Sequence, residues 1–164
     1  MNESTVRHHF EQDVERMFAL VTDPDFLRRR AEALGEKEID IAVDREGGQL
    51  KIRITREVEQ SMPSFMKKLF SGRQRLIDRQ SWSSEGGAHI SDWTVQLGEG
   101  KRVQLRGRLT LAPGAGGGCD YTESFSASAS IPLIAGRVEK FVLSETESSI
   151  RKQIDFTRKE LGGG

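Results

Sequence analysis

Residues Asp120 to Leu161 read DYTESFSASASIPLIAGRVEKFVLSETESSIRKQIDFTRKEL, and the fold turns on the change of period inside that stretch. Tyr121, Phe125, Ala127, Ala129 and Ile131 alternate with Thr122, Ser124, Ser126, Ser128 and Ser130. A period of two means a strand with one buried and one wet face, typical of an antiparallel sheet. Pro132 ends it, because proline cannot donate to a strand ladder. From Ile134 to Leu161 there is no proline, and Gly136 is the sole glycine. Ile134, Val138, Phe141, Val142, Ile150, Ile154 and Leu161 recur near helical spacing. At ~1.5 Å per residue such a helix is about 40 Å long and can cross a whole sheet. The stretch predicts an α+β fold in which an antiparallel sheet grips one long C-terminal helix.

The upstream sequence supplies the rest of the sheet. Val103, Leu105, Leu109 and Leu111 alternate with Arg102, Gln104, Arg106 and Arg108, a strand over Arg102–Ala112. Two more strands run over Gln74–Ser84 and His89–Leu97. Gly47-Gly48 is a two-residue hairpin turn that tolerates positive φ. Pairing across it opposes Ile41 to Ile54 and Val43 to Ile52, so the apolar faces of both strands coincide. Thr5 to Phe10 is a short strand with Val6, His8 and Phe10 on one face. Asp13 caps a helix through Met17, Phe18, Leu20 and Val21. Thr22-Asp23-Pro24 stops it and starts another, which Gly35 closes. Pro63 opens a short helix that Gly72 ends. The expected architecture is about seven strands in one curved sheet, with two short helices after the first strand and the long helix last. Residues 1–161 read as one domain and 162–164 as a flexible tail.

Composition removes several function classes. The chain has 164 residues, 35% hydrophobic, with no run near the roughly 20 apolar residues of a membrane span, so no stable membrane insertion is expected. Its 25 Lys plus Arg balance 25 Asp plus Glu, which leaves no global field for nucleic acid. The Arg28–Arg30 run, followed by Glu32, Glu36 and Glu38, reads as a solvated helix face. One cysteine, Cys119, and no apolar signal core over Met1–Phe10 point to a reducing, cytoplasmic setting.

Standard catalytic and metal signatures fail on spacing. His8 and His9 are neighbours on a strand and point to opposite faces, His89 is distant, and Cys119 has no CxxC partner, so no metal site and no cofactor are expected. There is no G-x-S-x-G, and the Ser124–Ser130 ladder is a polar outer face. Gly114 to Gly118 is followed by a strand, whereas phosphate loops lead into a helix, so it reads as a hairpin loop.

The order strand, two short helices, six strands and one long helix resembles the helix-grip fold of the START-like (SRPBCC) superfamily, which includes the birch-pollen-allergen-like proteins. Within it the chain is similar to an uncharacterised bacterial family, the domain-of-unknown-function family number 2505. The matching pieces are Thr22-Asp23-Pro24-Asp25-Phe26, Met62-Pro63-Ser64-Phe65-Met66, and Ile131-Pro132-Leu133-Ile134-Ala135-Gly136 leading into Val138-Glu139-Lys140. They locate structure and carry over no chemistry. The resemblance implies a cavity between the concave sheet face and the long helix. Relatives bind lipids, sterols, polyketides or other apolar molecules there, a few are cyclases, and some are interaction modules. The first expectation is therefore a binder of a small hydrophobic, lipid- or polyketide-like ligand. An enzyme (cyclase- or hydrolase-like) using the same cavity and a protein-interaction module are the alternatives. Ligand identity and oligomeric state stay open.

Polar residues on the apolar strand faces are the candidates for orienting such a ligand. They are His8, Arg56, Asp78, Gln80 and Glu123. If the third and fourth strands join about a centre near Lys67, Arg56 lies opposite Asp78 as an ion pair inside or at the rim of the cavity, or as a structural pair at the sheet edge. If the last two strands join about Ala115, Glu123 lies opposite Gly107, whose missing side chain leaves room for ligand or water. An isolated carboxyl there would have the raised pKa a general acid needs. The expected lining adds Phe10, Ile41, Ile54, Trp82, Trp93, Leu105, Phe125, Val138, Phe141, Val142 and Glu145. Glu145 and Ser149 interrupt the long helix's apolar stripe, where it would face a pocket. Met62, Phe65, Met66, Leu69 and Phe70 form either a lid at the mouth, with Met supplying adaptable contact, or a satellite core or dimer contact.

Overall fold

A computed structural model of the chain describes residues 3–59, 62–67, 70, 73–98 and 102–162. Leu69 and Gly72, together with Gly163 and Gly164 of the expected tail, lie outside the described residues. The elements are β1 (Glu3–Phe10), α1 (Val14–Val21), α2 (Pro24–Ala33), β2 (Lys37–Glu46), β3 (Gln49–Glu59), α3 (Ser64–Lys67), β4 (Arg73–Glu85), β5 (Ala88–Leu97), β6 (Val103–Pro113), β7 (Cys119–Ala129) and α4 (Ala135–Glu160). The strands form one seven-stranded antiparallel sheet in the order β1-β7-β6-β5-β4-β3-β2. β2 to β7 meander, and β1 returns to pair with β7 at the far edge.

Local chemistry fixes the helices. Asp13 accepts from Arg16 N–H at 2.8 Å and starts α1. Asp23 accepts from Asp25 N–H at 3.1 Å ahead of Pro24 in the first turn of α2. Both satisfy amide donors that a helix N-terminus leaves free. α4 begins without a side-chain cap at Ile134. The chain enters it through Leu133, a fully exposed residue at φ 72°, in the left-handed region. Glu139 ties the first turns of α4 to the end of β7, accepting from Ala129 N–H at 2.9 Å.

The β2–β3 hairpin has the register read from the sequence, Ile41 opposite Ile54 and Val43 opposite Ile52. Its outer strand is less covered than the alternation implies. β2 is the sheet's edge, and Val43 is 41% exposed there. The core lies where α1, α2 and α4 cover the inner face. Met17, Phe26, Leu111, Val103 and Val138 are fully buried in it. Among the described residues no helix is long and apolar enough to cross a membrane.

Candidate functional site

The inner faces of β3 to β7, roofed by α4 and flanked by α1 and α2, enclose a cavity of about 160 Å³. α4 contributes Phe141, Val142, Glu145, Ser149, Ile150 and Ile154 to its wall. Glu145 and Ser149, the breaks in the helix's apolar stripe, thus stand at this space. Val95, Leu97, Val103, Leu105 and Leu109 make much of the sheet side apolar.

A cluster of charged groups occupies the polar part. Arg56 is 9% exposed on β3. Its Nε lies 2.9 Å from Glu36 Oε1, and its Nη1 lies 3.7 Å from Asp78 Oδ2. The cross-strand register sets Ile54 opposite Asp78 and Arg56 opposite Leu76. The pair expected from symmetry about Lys67 is therefore diagonal, because the connection is centred one residue earlier. A two-residue shift leaves every side chain on its face, so the two charges remain neighbours. The nearer partner, Glu36, comes from the turn after α2. It is not the solvated surface residue that its charged neighbours suggest.

Arg30 is the second correction. It stands in the run expected to be a solvated face, and Arg28 and Arg29 are indeed exposed. Arg30 instead lines the cavity. Burial pulls its pKa down, against the raising fields of Tyr121, Glu123, Asp78 and Glu36, and as a guanidinium it stays charged. The signal is present in the helical spacing. Arg30 follows Phe26 by four and Leu27 by three, which puts it on the buried face of α2.

Glu123 sits opposite Leu109, and Gly107 opposite Phe125, so the expected Glu123–Gly107 pairing is off by two residues. The space at Gly107 is already filled. A Cβ there would come within 2.4 Å of Trp93 Cζ2 and 2.7 Å of the Ser124 carbonyl oxygen. The Tyr121 hydroxyl donates to Glu123 Oε1. Burial, above all, pushes the Glu123 carboxyl up to about 7, although the Tyr121 hydrogen bond and the Arg30 charge pull the other way. Burial likewise raises Asp78 and Glu36, each opposed first by Arg56.

Three buried side-chain atoms have no hydrogen-bond partner among the described residues: Asp78 Oδ1, Ser91 Oγ and Trp93 Nε1. All three residues line the cavity. Trp82, by contrast, donates Nε1–H to Gln80 Oε1 at 3.0 Å.

Of the residues expected at the cavity, Arg56, Asp78, Gln80, Trp82 and Trp93 border it, as do Leu105, Glu123, Phe141, Val142 and Glu145. Six others are inward-facing but elsewhere. His8 and Phe10 lie on the edge strand β1, ring edge to ring at 4.6 Å, and His8 lies in the fields of Arg158 and Asp155 on α4. Ile41 is on the opposite edge, half-buried. Ile54 and Phe125 are packed into the core, and Val138 is wholly buried in the first turns of α4. The inner face is wider than the cavity, so facing inward does not mean lining it.

The segment expected as a lid, a satellite core or a dimer contact is packed onto the core in its described residues. Met66 lines the cavity and is fully buried. Met62 is buried in the core without bordering the cavity, and Phe65 and Phe70 are packed against that core. The Arg137 guanidinium lies 4.1 Å from the Phe65 ring centre. His89, outside the cavity, bonds Glu15 at 2.8 Å and Ser84 at 2.9 Å and stacks on Phe18.

A seven-stranded antiparallel sheet closed over one long C-terminal helix, with a cavity between them, defines a helix-grip-like α+β protein. The chain belongs to the family described as Protein of unknown function (DUF2505), which it matches over residues 5–161. No curated protein matches it in sequence. Among solved structures it is similar to TTHA0849 from Thermus thermophilus, at 13% identity and a TM-score of 0.64, covering 96% of this chain and 95% of that one. It is also similar to an uncharacterized protein from Rhizobium leguminosarum, at 15% identity and a TM-score of 0.56, covering 96% and 95% of the two chains. A conserved protein from Geobacillus kaustophilus matches at 13% identity and a TM-score of 0.55, over 98% and 93%. At these identities the likeness is one of fold alone.

Proposed function

We propose that the chain binds a small, mainly apolar molecule with a polar end in the cavity between the sheet and α4. The observation that carries this reading is that Asp78, Ser91 and Trp93, whose Oδ1, Oγ and Nε1 are buried without a partner among the described residues, all line one cavity with a partly apolar wall. Each such group costs about 1–3 kcal/mol when left unsatisfied, and a ligand's polar end would remove that cost. A packed interaction module would gain nothing from keeping them. At about 160 Å³ the space suits a molecule with one ring, since a cavity of roughly 150 Å³ holds benzene. A full-length lipid or a polyketide would need α4 to move outward. The buried Cys119 thiol, pushed up to about 11 by burial, is unreactive and fits a reducing, cytoplasmic setting. Native mass spectrometry of the gently purified protein, followed by organic extraction and titration with an apolar fluorophore, tests the reading. A bound adduct or saturable fluorescence is expected. If the protein carries no adduct and binds no fluorophore, the proposal fails.

A second reading rests on Glu123. A carboxyl with a pKa of about 7, beside a hydroxyl and at a cavity, is matched to acid–base work at neutral pH. Conversion of an extracted ligand by the native protein, lost in Glu123→Gln with binding retained, would favour an enzyme. Unchanged ligand after prolonged incubation would favour a binder.

A further inference from the structure

Once Glu123 is ionised, the charges around the cavity do not balance. Glu36, Asp78 and Glu123 stand inside it, and Glu145 stands on the exposed flank of α4 at its edge. Two guanidiniums, Arg30 and Arg56, answer them, and among the described residues no other basic side chain borders the cavity. Arg56 is already engaged by Glu36 and by Asp78 Oδ2. Asp78 Oδ1, the other oxygen of that carboxyl, is buried without a donor. A buried carboxylate oxygen accepts and cannot donate, so what it lacks is an N–H or O–H. Ser91, 1% exposed, carries a second unpartnered atom, its Oγ, and the Trp93 indole N–H faces the Glu123 carboxyl. The indoles of Trp82 and Trp93 and the ring of Phe141 border the same space, and aromatic faces attract cations.

We infer that the cavity takes a small protonated amine with an aromatic or branched apolar body, whose ammonium supplies Asp78 Oδ1 with the donor it lacks. The inference rests on the ligand-binding reading above and names its chemical class. A neutral alcohol could reach the same oxygen but would leave the acidic excess in place. A carboxylate would add another negative charge and could sit only on Arg30. An ammonium offsets the excess and brings up to three donors. A hydroxyl or ether oxygen elsewhere on the ligand would accept from Trp93 Nε1.

Three probes with one phenyl ring and different ends separate these chemistries: 2-phenylethylamine, 2-phenylethanol and phenylacetate, titrated calorimetrically into the intact protein. The amine should bind at least about ten-fold tighter than the alcohol. Asp78→Asn and Glu123→Gln should each bring the ratio of amine to alcohol affinity close to one, a ratio that is read whatever the variant does to the alcohol's own affinity, and either variant suffices if the other fails to fold. Affinity for the amine should also rise from about pH 6 to about pH 8, as Glu123 loses its proton. Glu123 is faced by Tyr121 on its own strand, Arg30 from α2, Asp78 from β4 and Trp93 from β5. An alcohol that binds as tightly, or phenylacetate that binds tighter, overturns the amine and leaves the cavity reading standing. If none of the three binds while an apolar fluorophore does, the amine inference alone falls. If the fluorophore also fails, both fall.

Discussion

Tyr121 and Glu123 stand two residues apart on β7, on the same inner face, and the phenol donates its hydrogen to the carboxyl. The pair is buried among the inner residues of the sheet, and its energetics depend on pH. Burial raises the Glu123 pKa from an ordinary 4.5 to about 7 in the fold. The folded state therefore holds a proton that the unfolded chain releases between those values. Stability should be fully present below about pH 4.5 for this group and fall as pH rises toward 7, by up to about 3 kcal/mol. Burial raises Asp78 and Glu36 in the same direction. Urea unfolding of the wild type and Glu123→Gln across this range checks the sign. The variant should show a flatter profile and greater stability at pH 8. A wild-type curve that rises between pH 5 and 7 would contradict it.

Arg56 holds two carboxylates in a buried triad with Glu36 and Asp78. Removing it strands both, so Arg56→Ala should cost about 3–5 kcal/mol. Asp78→Ala in the same background should cost less than it does alone, with a coupling of about 1–3 kcal/mol in a double-mutant cycle. Additive losses would mean that the triad is not energetically connected.

Gly107→Ala should destabilise by about 1–3 kcal/mol through overpacking. Its new methyl would meet the Trp93 indole and the backbone of β7 at Ser124, and backbone cannot give way as a flexible side chain can. Displacement of Trp93 should also shift the intrinsic fluorescence. A variant with wild-type stability and an unchanged emission maximum would show that this corner has slack.

Leu133→Gly should stabilise the fold or leave it unchanged, although glycine ordinarily costs conformational entropy. The side chain is fully exposed and its φ of 72° is one that L-residues avoid at a cost of roughly 1–2 kcal/mol. Thermal melts of the variant give the answer, and a drop of several degrees would mean that Leu133 makes a contact in solution that outweighs its strain.

Strand faces are legible in the sequence, and registers are looser. Alternation identifies the inward side of β3, β4 and β7, and with it Arg56, Asp78 and Glu123. A shift of two residues preserves every face, which is why symmetry about a loop centre misplaces the partners of Arg56 and Glu123 by two positions. The two-residue turn at Gly47-Gly48 allows no such freedom, and there the sequence register and the structural one coincide. Arg30 is hidden by its neighbours. Three arginines in a row look solvated until the helix is wound and the third falls beside Leu27. The extent of the cavity along the sheet is not legible, because it depends on where α4 crosses. His8 and Phe10, at the β1 edge, are covered by the helix beyond the cavity.

The pairing of β1 with β7 reaches across nearly the whole chain: the Thr5 and Ser124 hydroxyls, 119 residues apart, lie 3.0 Å from each other. Contacts of such separation form late, after much loop entropy has been surrendered. On the ribosome the first strand emerges long before its partner is made. Val6 and Phe10, both buried in the finished fold, lack their β7 partners until that strand is made. β1 is thus a strand whose cover depends on chain that is made last among the sheet's elements.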